Sequence, residues 1–265
     1  MLPVLFSVFG FPIQSYGVSK ALAALVAAWM LARAFQRYGL PRQAASSLVL
    51  GVTVWGFIGA KVYFLLEHPD QWHHLTGGFT WYGGFMSGSI AAMVIIRNHQ
   101  LPLSLVAGLA AAPLSMAYAI GRVGCFLSGD GTYGKPSGLP WAVAFPNGTV
   151  PTTVPVHPTA LYEALFAASL AVGLLWLGAR GVRPPLIVAT YLALSGAARF
   201  AVEFLRINRP ALFGLTQPQL WSLLLVAAAG AIVVVRPKGP KGELPSSANL
   251  HGIPPVDTMC RVETG

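Results

Sequence analysis

Seven stretches of this chain are apolar for nearly as long as the ~20 residues a helix needs to cross the hydrocarbon core of a bilayer. They fall at about 18–35, 48–66, 83–97, 102–120, 159–178, 185–205 and 219–235. No other feature of the sequence narrows the fold so far. Charged residues make up only 9% of the 265, against roughly 25% in a soluble domain, and 55% are hydrophobic. A soluble protein is excluded on these grounds. The expected fold is an all-α polytopic membrane protein with about seven transmembrane helices. The third run, YGGFMSGSIAAMVII, is short and glycine-rich, which suits a helix packed in the protein interior. Small residues in GSIAA and LSGAA let helices approach closely where lipid supplies no hydrophobic drive to association.

A formal net charge of +9 would suggest nucleic acid in a soluble protein. Here the basic residues stand at the ends of apolar runs, where they set orientation, and no nucleic-acid partner is expected. Arg33, Arg37 and Arg42 follow the first run, Arg97 the third, Arg180 and Arg183 the fifth, and Arg236, Lys238 and Lys241 the seventh. These loops are assigned to the cytoplasm, so the N-terminus is expected outside and the C-terminus inside. The loop EHPDQWHHLTGGFTW (67–81) has no lysine or arginine, as an outer loop should. Residues 1–236 read as one membrane domain. The Pro-, Gly- and Ser-rich segment 237–265 reads as a disordered cytoplasmic tail. Two cysteines, Cys125 and Cys260, are too few for a disulfide framework or a thiolate metal site. The first residues, MLPVLFSVFGFPIQ, lack the basic n-region of a cleavable signal peptide. No internal repeat of the transporter kind is visible.

Polar groups inside such runs carry the functional information. A charge near the centre of a spanning helix costs at least ~2.5–3.5 kcal/mol. In LSGAARFAVEFLRINR, Arg199 and Glu203 share a helical face and Arg206 lies three residues further on. Two guanidiniums around one carboxylate leave a positive face that an anion could complete; a structural ion pair with an interfacial arginine would give the same pattern. Arg122 follows the fourth run in GRVGCFLSGDGTYG, where glycines permit close backbone approach to an anion and Asp130 could orient Arg122 or bind a headgroup. In VHPTALYEALF, His157 precedes a helix that Thr159 could cap, with Tyr162 and Glu163 in its first turn. Tyr16-Gly17 and Tyr82-Gly83-Gly84 stand at the mouths of the first and third runs, where aromatic anchors are common. Six segments therefore send polar groups to one depth.

Together, Tyr16-Gly17, Tyr82-Gly83-Gly84, GRVGCFLSGDGTYG, HPTALYE (157–163), RFAVEFLR (199–206) and Gln219 resemble the bacterial prolipoprotein diacylglyceryl transferase family over nearly all of residues 1–236. The resemblance implies a multi-pass enzyme of the bacterial inner membrane. Such an enzyme moves the diacylglyceryl group of phosphatidylglycerol onto the lipobox cysteine thiol of a preprolipoprotein and releases glycerol phosphate, without metal or organic cofactor. It implies catalytic roles for Arg122, Arg199, Tyr82 and Glu203. Substrate binding would fall to Tyr16, Gly83, Gly84, Cys125, Ser128, Asp130, His157, Tyr162, Glu163 and Arg206. Guanidinium matches phosphate bidentately and would stabilise the charge that grows on the leaving group. The chain departs from the family pattern at four places. Tyr82 stands where most members have His, Cys125 and Ser128 where Asn is usual, and Asp130 where Glu is usual. The alternative reading is a repurposed relative that binds anionic phospholipid without turnover, or that serves a different acceptor.

Overall fold

The computed structural model of the chain describes residues 3–8, 11–72 and 78–235. The tail 237–265 and the basic residues Arg236, Lys238 and Lys241 lie outside them. The described residues form seven α-helices: α1 (Ser15–Arg37), α2 (Arg42–Glu67), α3 (Trp81–Asn98), α4 (Leu103–Ser128), α5 (Thr159–Ala179), α6 (Pro184–Glu203) and α7 (Gln217–Val234). All but α3 are long and apolar enough to cross a membrane. The protein is thus an all-α multi-pass membrane protein.

Helix α3 was expected over 83–97 to pack on protein instead of facing lipid throughout, and one of its faces does so. It buries Gly83, Gly88, Ala91 and Ile96 but exposes Phe85, Met86, Ile90 and Val94, so one face meets protein and the other meets lipid. The buried face lies against α2 at backbone distance. A Cβ on Gly83 would stand 2.2 Å from the Gly59 carbonyl oxygen, so only glycine fits there. Ser87 closes the seam by donating to the Trp55 carbonyl at 2.8 Å.

The largest departure from expectation is the end of α4. The run was read as stopping at Ile120, yet the helix continues through GRVGCFLS to Ser128 and is capped by Gly129 in the left-handed conformation (φ 59°). Gly121 and Gly124 are helical positions facing α1. A Cβ on Gly124 would meet Ser19 Cβ at 2.5 Å. These glycines allow helix contact; they are not a loose connector.

Three short antiparallel hairpins, which apolar periodicity does not predict, accompany the helices. They pair β1 (Val4–Val8) with β2 (Phe11–Gln14), β3 (Val143–Phe145) with β4 (Thr152–Val156), and β5 (Pro210–Leu212) with β6 (Leu215–Thr216). All three lie at one end of the bundle, before α1, between α4 and α5, and between α6 and α7. At the other end the helices join through the four-residue turns 38–41, 99–102 and 180–183. That end holds an apolar cluster built on Leu31, Phe35, Leu48, Ile96 and Val106.

Candidate functional site

The hairpin end gathers charges from α4, α5 and α6. Glu163 is at their centre. Its Oε1 accepts a hydrogen bond from Arg199 Nη1 at 2.8 Å and another from the Tyr118 hydroxyl at 2.8 Å. Its Oε2 lies 3.1 Å from Arg122 Nε and 3.7 Å from Arg206 Nη1. Glu163 was expected in the first turn of α5, stabilised by the helix end. It is the fifth residue of that helix, buried, and neutralised by three guanidiniums from other elements. Thr159, expected as the cap, is the first helical residue, and its hydroxyl donates instead to the Thr132 carbonyl at 2.7 Å.

A second carboxylate supports the first. Glu203 Oε2 lies 3.1 Å from Arg199 Nη2 and 3.8 Å from Arg206 Nε. Its Oε1 accepts from the Thr216 hydroxyl at 3.0 Å and from the Asn208 amide. Glu163 Oε2, Glu203 Oε2 and Arg206 Nε are buried and have ion-pair neighbours but no aligned hydrogen bond. Three arginines against two glutamates leave the cluster one positive charge in excess.

The excess is not spread evenly. Arg206 is the most buried of the three side chains, and its Nη1 donates to the Thr132 carbonyl at 3.0 Å. Burial, and next the nearby Arg199, pull its guanidinium below the ordinary value, while Glu163 and Glu203 act the other way; arginine stays cationic regardless. Arg199 spends both terminal nitrogens on Glu163 and Glu203. Arg122 is different. Its Nε donates to the Tyr118 hydroxyl at 2.9 Å and faces Glu163, while among the described residues its two terminal nitrogens meet no hydrogen-bond or ion-pair partner. That guanidinium presents an open fork of the kind that takes two phosphate oxygens.

The second half of the signature acts through the backbone. Asp130 does not reach Arg122. Its Oδ1 accepts from Thr132 N at 3.1 Å and Thr132 Oγ1 at 2.6 Å, and this tight turn aims the Thr132 carbonyl at Arg206. The loop then docks on the end of α6, with Lys135 N donating to the Leu205 carbonyl at 2.7 Å and Gly134 N to the His157 carbonyl at 2.8 Å.

The remaining candidates surround this group. Cys125 is a buried free cysteine. The Ser128 hydroxyl donates to the Cys125 carbonyl at 3.1 Å. Tyr162 accepts from Trp141 Nε1 at 2.7 Å and faces His157 Nδ1 at 3.5 Å. Tyr16 is exposed at the start of α1, with Lys20 Nζ over its ring at 4.9 Å. The Tyr82 hydroxyl accepts from Gln217 Nε2, next in sequence to the Thr216 that holds Glu203, and its ring packs beside Trp81 and Trp221. Gly83 and Gly84 lie in the α2–α3 seam. The structure therefore brings Arg122, Glu163, Arg199, Glu203 and Arg206 into one ion-pair group and leaves Tyr16, Tyr82, His157 and Tyr162 around it.

Tyr118, Thr132, Asn208 and Thr216 were not singled out from the sequence. Tyr118 alone left a usable signal, since it precedes Arg122 by four residues and so shares its helical face.

A model of the prolipoprotein diacylglyceryl transferase family matches residues 3–235. The chain is 30% identical over 214 residues to the phosphatidylglycerol–prolipoprotein diacylglyceryl transferase of Clostridium tetani, covering 78% of this chain and 86% of the relative. It is 32% identical over 257 residues to the protein of that name from Nitrobacter winogradskyi, covering 87% of each. It is 31% identical over 255 residues to that of Methylocella silvestris, covering 87% of this chain and 92% of the relative.

Proposed function

The chain belongs to the prolipoprotein diacylglyceryl transferase family, and from that premise we propose that it transfers the diacylglyceryl group of phosphatidylglycerol to the lipobox cysteine of a preprolipoprotein at the outer leaflet of the bacterial inner membrane. The cysteine sulfur, as thiolate, attacks the glyceryl carbon next to the phosphate. A carbon–sulfur bond forms, the carbon–oxygen bond breaks, and the electron pair leaves with glycerol phosphate.

The open fork of Arg122 carries this reading. Its Nε is held by Tyr118 and Glu163, which leaves both terminal nitrogens without a partner among the described residues, beside a cluster with one positive charge to spare. An anion about 4 Å from one unmatched unit charge gains ~4 kcal/mol at the effective dielectric of a protein surface. Fixed cations that meet charge as it grows on the departing phosphate lower the barrier without reorganising. Arg199 has the most exposed side chain of the three, 23% accessible, and each terminal nitrogen that meets a glutamate keeps a second N–H, which makes it the second contact. Arg206, occupied by the Thr132 carbonyl, adds field from behind. Glu163 and Glu203 hold the arginines.

Among the described residues Tyr82 has a hydrogen bond to Gln217 and aromatic neighbours in Trp81 and Trp221. These contacts assign it to shaping the mouth of the site.

The deciding assay follows headgroup-labelled phosphatidylglycerol and a lipobox peptide in proteoliposomes. Thioether-linked diacylglyceryl on the peptide and released glycerol phosphate should appear in equal amounts. Retained binding of anionic lipid with no product in either form would favour the binding-only alternative.

A further inference from the structure

Helices α5 and α6 carry Glu163 and Arg199 at the cluster end and, further along, line a groove of about 360 Å³. Its walls are Phe166, Leu170, Gly173 and Leu177 of α5 with Thr190 and Leu194 of α6. Two hydroxyls line it, and both are turned back into their own helices. Ser169 donates to the Leu165 carbonyl at 2.9 Å and Thr190 to the Leu186 carbonyl at 2.8 Å. The lining is therefore apolar in effect. Phe166 and Leu194 are exposed, so the groove opens sideways toward lipid, and a Cβ on Gly173 would meet nothing within 4 Å.

We infer that this groove seats one acyl chain of the lipid whose phosphate is bound at Arg122 and Arg199. The inference rests on the transferase reading and extends it to the donor's hydrocarbon. Position and size argue for this occupant. The groove begins one helical turn beyond Glu163, and Phe166 to Leu177 spans about 17 Å at 1.5 Å per residue. Along α5 it starts about 10 Å from the cluster end of the helix and stops near the opposite end, so it suits a chain whose headgroup is held at the cluster, inside the helix end. A chain hanging from a headgroup at the cluster would run the length of the groove and end with it. A partner helix, ~10 Å across even without long side chains, would need more than about 1,000 Å³ over that length, so it would sit on the groove and not in it.

Leaving lipid for an apolar groove yields little hydrophobic gain, because both surroundings are hydrocarbon. The groove acts through orientation. A seated chain fixes the glyceryl carbon relative to the arginines, and loss of such alignment lowers turnover more than binding.

The test uses the full chain in phosphatidylcholine vesicles containing phosphatidylglycerol with a photoreactive group midway along one acyl chain. Crosslinks mapped by mass spectrometry should concentrate on residues 166–177 and 190–194. Gly173→Phe, which fills the groove, should remove most of them. Gly230→Phe, the same change at an exposed α7 position that also has nothing within 4 Å, should not. In the transfer assay Gly173→Phe should lower kcat with dipalmitoyl phosphatidylglycerol about tenfold, the equivalent of ~1.4 kcal/mol of barrier, with KM little changed and dioctanoyl lipid used as before. Labelling spread evenly over lipid-facing helices, or an equal loss with both lipids, overturns the inference. Groove labelling in a protein with no transfer activity would sink the transferase reading and leave the acyl site standing.

Discussion

The two ends of the bundle solve the same problem in opposite ways. At one end the helices are tied by four-residue turns around Phe35, which is wholly buried among Leu31, Leu48, Ile96 and Val106. At the other they are joined by long segments with hairpins, and the contacts that bring α4, α5 and α6 together are ion pairs on Glu163 and Glu203. The apolar end is complete in itself. The charged end is one anion short. A bundle built for stability alone would repeat the first solution, because buried ion pairs are often no better than well-packed hydrocarbon. The second solution makes sense where a charge has to be met from outside.

Substitutions at each end test this contrast. Arg122→Ala should have the largest effect, a loss of about 10³-fold in transfer with membrane insertion intact; near-normal turnover would end the phosphate assignment. Arg199→Lys should fall about 10²-fold, because an ammonium cannot bridge Glu163 and Glu203 as the fork does. Glu163→Gln should cost about 3–5 kcal/mol of stability by leaving three guanidiniums against one carboxylate, seen as earlier thermal unfolding in detergent together with lost activity. Phe35→Ala should cost about 3 kcal/mol through the cavity it opens, while kcat per folded molecule stays within about twofold of the parent, since that end has no part in the chemistry. Tyr118→Phe should be milder still. Losing its two hydrogen bonds, one given to Glu163 and one taken from Arg122, at a net cost of about 1.5 kcal/mol, should lower kcat roughly tenfold with normal folding, and phosphate contact by Arg122 should become less selective for phosphatidylglycerol over other anionic lipids.

The sequence exposed the parts of this architecture that obey a period. Apolar runs located all seven helices, and the spacing of Arg199, Glu203 and Arg206 put them on one face because helical geometry alone decides it. The misreadings have physical causes. Gly121 and Gly124 resemble a loop in composition, but their missing side chains serve close contact with α1, which lies far away in sequence. Glu163 resembles a residue favoured by its own helix end, while its true partners come from α4, α6 and the segment beyond α6. Tyr118 is hidden in an apolar run where a tyrosine attracts no notice, and its hydrogen bond to Glu163 exists only once α4 and α5 meet. Asp130 was read against the nearest cation and instead shapes a local turn. The hairpins are two to five residues per strand, too short for alternation to register.

The placement of Glu163 also bears on how the chain is made. Helix α6 enters the bilayer with Arg199 and Glu203 already four residues apart and able to neutralise each other. Helices α4 and α5 have no such internal remedy: one brings an arginine and the other a glutamate. Each alone would enter as an unpaired ion one to two turns from a helix end, at a cost below the ~2.5–3.5 kcal/mol of a helix centre. Pairing of the two, 3.1 Å apart in the folded chain, offsets that cost for both helices at once. The residues that later grip a lipid would first serve to bring their own helices into the membrane.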